Sequence, residues 1–197
     1  MRANRLPERL ALVGERRDAL RHLLADLIPS GSRVVWEIGS GHGHFLTAYA
    51  KAHPEKLCLG IDISSDRIAR AGRKRERGRV ANLHFIRADA EDFLASLPQG
   101  VRFATIFILF PDPWPKRRHH KNRVVNPDFL ARAAALSQKG AGLFFRSDYE
   151  PYFKAVAAML RDHPDWEERG AGAWPFEEPS VFQKRAPRHF SLEALRR

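Results

Sequence analysis

Apolar residues recur at helical spacing near the start of the chain. Leu6, Leu10, Val13, Leu20, Leu24 and Leu27 fall near one face of a helix predicted over 7–28, with arginines around the rest of it. After Pro29-Ser30-Gly31-Ser32 the pattern changes. Short apolar runs, VVWEI (34–38), LCLGID (57–62), LHFI (83–86), FATIFIL (103–109) and GLFFRS (142–147), have the length and the β-branched and aromatic content of buried strands. Between them, 43–53, 64–78, 90–97 and 126–137 carry helical periodicity, and 149–162 follows the fifth strand. Strands alternating with helices predict an α/β fold with a doubly wound, mostly parallel sheet and helices on both faces. The last stretch, 163–197, holds Gly170, Gly172, Pro175, Pro179 and Pro187. It reads as loop plus two short strands, a C-terminal antiparallel strand or hairpin. There is no internal repeat, so a single domain over 1–197 is expected: an N-terminal basic helix (1–32), a doubly wound core (33–162) and a closing segment (163–197).

Composition narrows the class. Of 197 residues, 44% are hydrophobic and 10% aromatic, enough for a packed core rather than a disordered chain. No run reaches the roughly 18 apolar residues of a membrane helix. MRANRLPERLALVGERR has charges where a signal peptide needs an apolar stretch, and a single cysteine, Cys58, leaves no internal disulfide. A cytoplasmic monomer is expected. Lys plus Arg is 34 against 23 Asp plus Glu, a formal charge of +11. That imbalance points to a polyanionic partner, most often nucleic acid, rather than to a merely basic surface.

The first strand leads into Gly39-Ser40-Gly41-His42-Gly43 before a helix. In a doubly wound sheet, ligands bind at the carboxyl ends of strands near the switch point, and glycines let the backbone turn tightly and approach a ligand. Asp62 ends the second strand, where an acid can accept from both ribose hydroxyls. Two cofactors compete. A dinucleotide fingerprint needs a third glycine at 44, which is His44. Glu37, just before the turn, repels a pyrophosphate and suits a ligand with an ammonium or sulfonium charge. Asp89, after the third strand, is placed to accept from an adenine amino group. Glu37, Gly39, Gly41, Asp62 and Asp89 therefore fit S-adenosylmethionine better than NAD, against the plainer reading of structural acids beside a glycine turn.

The fourth strand ends at Phe110, which puts Pro111-Asp112-Pro113-Trp114 at the same edge. Each proline fixes its own φ and restricts the preceding residue, so the loop is stiff. Trp114 offers a stacking face for a base, and Asp112 an acceptor for base N–H groups. KRRHHKNR follows, with five Lys or Arg and two His in eight residues. Phosphate contacts from such a run supply affinity without reading sequence. A second basic run, from Arg67 through Arg79, lies on the helix after Asp62 and reads equally as RNA contact or as solvated surface. His119 and His120 lack the companions of a metal site, so none is expected. Asp148, ending the fifth strand, suits a helix N-cap, a substrate contact, or both.

WEIGSGHGHFL, GIDIS, FPDPWPKRRHHKNRVV and SDYEPYF together resemble the bacterial tRNA (guanine-N7)-methyltransferases. The resemblance runs from about residue 33 to 156, with a weaker echo in SVFQKR at 180–185. It implies a class I methyltransferase (Rossmann-like) fold, S-adenosylmethionine as donor, and methylation of a guanine in the tRNA variable loop. Carried over by position, Glu37, Asp62 and Asp89 bind the cofactor, Asp112 sits at the catalytic centre, and Lys116 and Asp148 bind substrate. Where the family reads T-x-F-E-x-R, this chain has Ser180, Phe182, Gln183 and Arg185. Ser180 and Gln183 are thereby assigned to substrate binding, with Gln183 lacking the family's acid. Two alternatives stay open: methylation of an exocyclic amine in a nucleic acid, and a noncatalytic RNA-binding relative retaining the cofactor pocket.

Overall fold

A computed structural model describes residues 6–169, 174–178 and 188–197, with side chains from Leu12 onward. The elements run α1 (Leu6–Leu27), β1 (Arg33–Ile38), α2 (His44–Ala52), β2 (Leu57–Asp62), α3 (Ser65–Arg77), β3 (Leu83–Arg87), α4 (Ala90–Ser96), β4 (Arg102–Leu109), α5 (Pro127–Leu136), β5 (Ser137–Ser147), α6 (Glu150–Arg161), β6 (Trp166–Arg169) and β7 (Phe190–Arg196). A 3₁₀ turn covers Arg117–Asn122. The strands form one sheet in the order β3-β2-β1-β4-β5-β7-β6. β1 to β5 are parallel, and β7 is antiparallel to both β5 and β6. The order reverses between β1 and β4, so the switch-point crevice opens where these two strands end. Among the described residues no helix is long and apolar enough to cross a membrane.

Most element boundaries follow the periodicity closely. β5 is the exception: it starts at Ser137, not near 142. A register shift opposite Phe103–Thr105 lets Ser137 pair with Phe103 and Gly142 with Thr105, so Gln138-Lys139-Gly140, loop-like by composition, lies within the strand. The expected closing pair exists as β6 and β7, separated by residues 170–189 rather than by a tight turn.

Two apolar clusters hold the layers. On one face of the sheet, Leu20, Leu24 and Ile28 of α1, Phe93 of α4, Phe129 of α5 and Tyr152 of α6 pack together. At their centre Trp36 stacks between Phe93 and Phe103, with centroids 5.0 and 4.8 Å away. On the other face, Phe45, Leu46 and Tyr49 of α2 cover β1 and β2. Phe107 of β4 also packs on Phe45 and Tyr49 of α2, and the segment 174–178 extends this layer from α2 to β5. Trp174 meets Phe144 edge-on at 5.5 Å, and Phe176 packs on Tyr49 at 5.3 Å. Buried Arg146 clamps that segment: its guanidinium lies 3.7 Å from the Trp174 ring centroid and pairs with both carboxylate oxygens of Glu177.

Candidate active site

The crevice begins at the turn after β1. Gly39, Gly41 and Gly43 all have positive φ, at 71°, 54° and 67°. Space is open around a Cβ at Gly39, and at Gly41 the nearest neighbour of such a Cβ is a backbone oxygen at 3.9 Å, so both can let a ligand approach. Gly43 serves a different purpose. A Cβ there would fall 2.4 Å from Phe85 Cζ and 2.8 Å from Ala71 Cβ, so this glycine lets α2 pack against α3 and β3.

Glu37 is buried at the mouth of this turn, and its Oε2 has no hydrogen-bond partner among the described residues. Burial lifts its carboxyl to about 8; the Asp62 charge adds to the lift and a backbone bond from Leu46 opposes it. An unpartnered buried acid is costly unless something cationic meets it. Asp62 is buried at the end of β2 and is partly engaged. Its Oδ2 accepts from the Gly41 N–H at 3.0 Å, its Oδ1 from the Ser64 N–H at 2.9 Å, and Arg67 lies 3.5 Å from Oδ2. Each carboxylate oxygen has two acceptor positions, so room for ribose hydroxyls remains. Asp89 acts as an N-cap: its Oδ1 accepts from the Asp92 N–H at 2.8 Å, while its Oδ2 faces Arg16 at 3.7 Å. Arg16 and Arg17 also grip Asp92, which fastens α1 beside this corner of the crevice. An unpaired buried acid, open glycines and a partly free aspartate fit a donor bearing an ammonium, a ribose and a cationic sulfur.

Across the switch point, β4 delivers the proline loop. Phe110 and Trp114 adopt positive φ, 52° and 43°, unusual for large residues. Asp112 is exposed and makes no ion pair or hydrogen bond among the described residues. The half-buried Trp114 ring packs edge-on against His119 at 5.8 Å. Lys116, Arg117, Arg118 and Lys121 are exposed, as a phosphate-gripping run requires. Arg123 does not belong with them. It is 9% exposed, its Nε donates to the Pro113 carbonyl at 2.9 Å, and its guanidinium lies 4.5 Å from the Tyr152 ring centroid. Tyr152 in turn accepts from the Val125 N–H at 3.0 Å. The last arginine of the run is thus the buried strut of the proline loop. The signal was its junction with Val124-Val125, where the chain turns apolar.

Asp148 is exposed at the end of β5, on the same edge. Its expected role as a helix cap is not what the structure shows. The N-cap of α6 is Tyr149, without a side-chain cap, and the Ser147 hydroxyl accepts the Tyr149 N–H at 3.1 Å. Glu37, Asp62, Asp89, Asp112 and Asp148 all follow or end parallel strands at one edge of the sheet. Ser180 and Gln183 lie outside the described residues.

A doubly wound sheet of this order, with β7 antiparallel to its neighbours β5 and β6, is the class I methyltransferase fold. The precorrin-6y C5,15-methyltransferase of Geobacter metallireducens shares it: TM-score 0.59 over 92% of this chain and 89% of that one, at 13% identity. Residues 32–185 match the family model described as “Putative methyltransferase”, and the chain belongs to that family. Similar curated relatives include the tRNA (guanine-N(7)-)-methyltransferases of Streptomyces coelicolor, 35% identical over 73% of this chain and 53% of the relative, and of Syntrophotalea carbinolica, 38% identical over 69% and 59%. The chain spans between half and two thirds of the length of those relatives.

Proposed function

We propose that this protein transfers a methyl group from S-adenosylmethionine to N7 of a guanine in the variable loop of tRNA, as a cytoplasmic enzyme whose single domain spans the chain. One observation carries the reading. The two strands flanking the switch point end in complementary chemistry: a buried carboxyl at Glu37 with one oxygen left unpartnered among the described residues, and an acid held between prolines at Asp112 with a basic run behind it. When bound, the donor supplies a methyl group on a positively charged sulfur. Glu37 answers its ammonium group, Asp62 its ribose, and the Oδ2 side of Asp89, beside Arg16, its adenine amino group.

Guanine N7 has a lone pair and no proton. The protein therefore needs no base to remove one, and its task is alignment. The product ring gains positive charge. The Asp112 carboxylate, accepting from the N1–H and amino edge of guanine, favours that charge as it develops. Trp114 offers a stacking face for the base, and Lys116, Asp148, Ser180 and Gln183 complete the contacts to RNA. The relatives named above and the string FPDPWPKRRHHKNR support tRNA over other nucleic acids. The test is single-turnover transfer from labelled donor to tRNA. Asp112→Asn keeps the shape, removes the charge and brings a donor to a face that should only accept. The expected loss is on the order of 10²-fold in rate with donor affinity unchanged. A normal rate in this variant removes Asp112 from the reaction centre.

A further inference from the structure

We propose that the groove between the start of α2 and the outer face of α3 is a track for the phosphate backbone of the RNA substrate, separate from the basic run after the proline loop. This rests on the reading of the protein as a tRNA methyltransferase and adds where the body of the nucleic acid lies. The groove has a volume of about 370 Å³ and is lined by His42, His44, Arg70, Arg73, Lys74 and Arg77.

Local stability explains only part of this lining. Arg70 and Lys74, and Arg73 and Arg77, are four residues apart on α3; Arg70 and Arg73, and Lys74 and Arg77, are three apart. Like charges at these spacings are neighbours and weaken an isolated helix. The helix dipole favours cations in the last turn, but that benefit fades within one turn and does not reach Arg70. Two acids are taken up at the other end of the helix, where Asp66 pairs with Arg70 and Asp62 with Arg67, and Glu76, the one acid in the last turn, forms no ion pair among the described residues. Among the described residues Arg73, Lys74 and Arg77 form no ion pair with an acid. A polyanion relieves the repulsion that the fold leaves standing.

Position supports the same occupant. Lys74 Nζ donates to the His42 carbonyl at 3.0 Å, tying α3 to the glycine turn. The groove therefore starts at the lip of the crevice and runs away from it along α3. An anionic membrane surface needs apolar anchors beside the cations, and the lining contains none.

The experiment compares two triple variants of the whole chain, each losing three positive charges. Arg70→Ser, Arg73→Ser and Arg77→Ser strip the groove. Lys139→Ser, Lys154→Ser and Arg161→Ser strip exposed cations elsewhere. In filter binding across a salt series, the groove variant is expected to bind tRNA about tenfold or more weakly, with a log–log salt slope shallower by about two. Its donor affinity and circular dichroism should match wild type, and the remote variant should keep the wild-type slope. Equal flattening by both variants, an unchanged slope in the groove variant, or groove-dependent binding to anionic lipid vesicles with tRNA binding intact overturns the assignment. Wild-type protein that binds no tRNA overturns the underlying reading and the groove with it. Wild type that methylates tRNA beside an unaffected groove variant overturns the groove alone.

Discussion

Glu37 is buried, with one carboxyl oxygen unpartnered among the described residues. Its carboxyl holds a proton in the folded state from the ordinary value of 4.5 up to about 8, an interval over which the unfolded chain has released it. The folded state binds more protons there, so stability falls as pH rises through the interval. Glu37→Gln should remove this slope and stabilise the free protein at pH 9 by on the order of 2–4 kcal/mol. Thermal melts at pH 5 and pH 9 check it; parallel pH dependence in the two proteins contradicts it. The same proton reports on the ligand. An α-ammonium group ordinarily titrates at about 7.7–8.0. At pH 6 a donor bound through its ammonium must therefore displace the Glu37 proton, and calorimetry in buffers of different ionisation enthalpy should register release of close to one proton. Glu37→Gln should abolish that release. The placement of Glu37 and Asp62 beside the glycine turn was legible in the sequence because each lies at the end of an apolar strand run. Arg123 was not, because a run of cations reads as one solvated surface until the fold buries one member.

At the scale of elements, the glycine turn and the proline loop show how packing and chemistry divide a motif. Gly43 completes the glycine pattern, yet its constraint is Phe85 and Ala71 rather than a ligand. Gly43→Ala combines overpacking with a left-handed backbone and should cost roughly 2–4 kcal/mol. Urea unfolding should show a lower midpoint at constant slope, and a change below about 0.5 kcal/mol would contradict the packing role. The proline loop depends on Arg123 in a similar way. Arg123→Ala leaves the Pro113 carbonyl without its donor and Tyr152 without its stacked cation. Turnover should fall while donor affinity holds, and Arg123→Lys should recover only part of the rate, since an ammonium cannot copy the planar fork. Full activity in Arg123→Ala would show that the loop keeps its place without the strut. The elements themselves were mostly readable because buried parallel strands are continuous apolar runs. The early start of β5 was not, because Gln138-Lys139-Gly140 enters the sheet through a register shift that no periodicity encodes.

For the whole molecule, the charge of +11 divides into structural and available cations. Arg123, Arg146 and Arg17 are committed to internal partners. Lys116, Arg117, Arg118 and Lys121 are free for phosphate. Neutralising those four should flatten the salt dependence of tRNA binding by about three in log–log slope and leave donor affinity unchanged; an unaltered slope would make the run a solvated surface. The sequence foretold a closing segment but not its use, since only the folded sheet reveals that Trp174 packs on Phe144 of β5 while Phe176 packs on α2. The central claim is the joining of a donor pocket and a guanine site across β1 and β4. Its most direct test is transfer of labelled methyl from S-adenosylmethionine to unmodified tRNA, followed by nuclease digestion and mass mapping. Label is expected in 7-methylguanosine at one variable-loop position. Label on an exocyclic amine, or none in any tRNA from a protein that binds the donor, would contradict it.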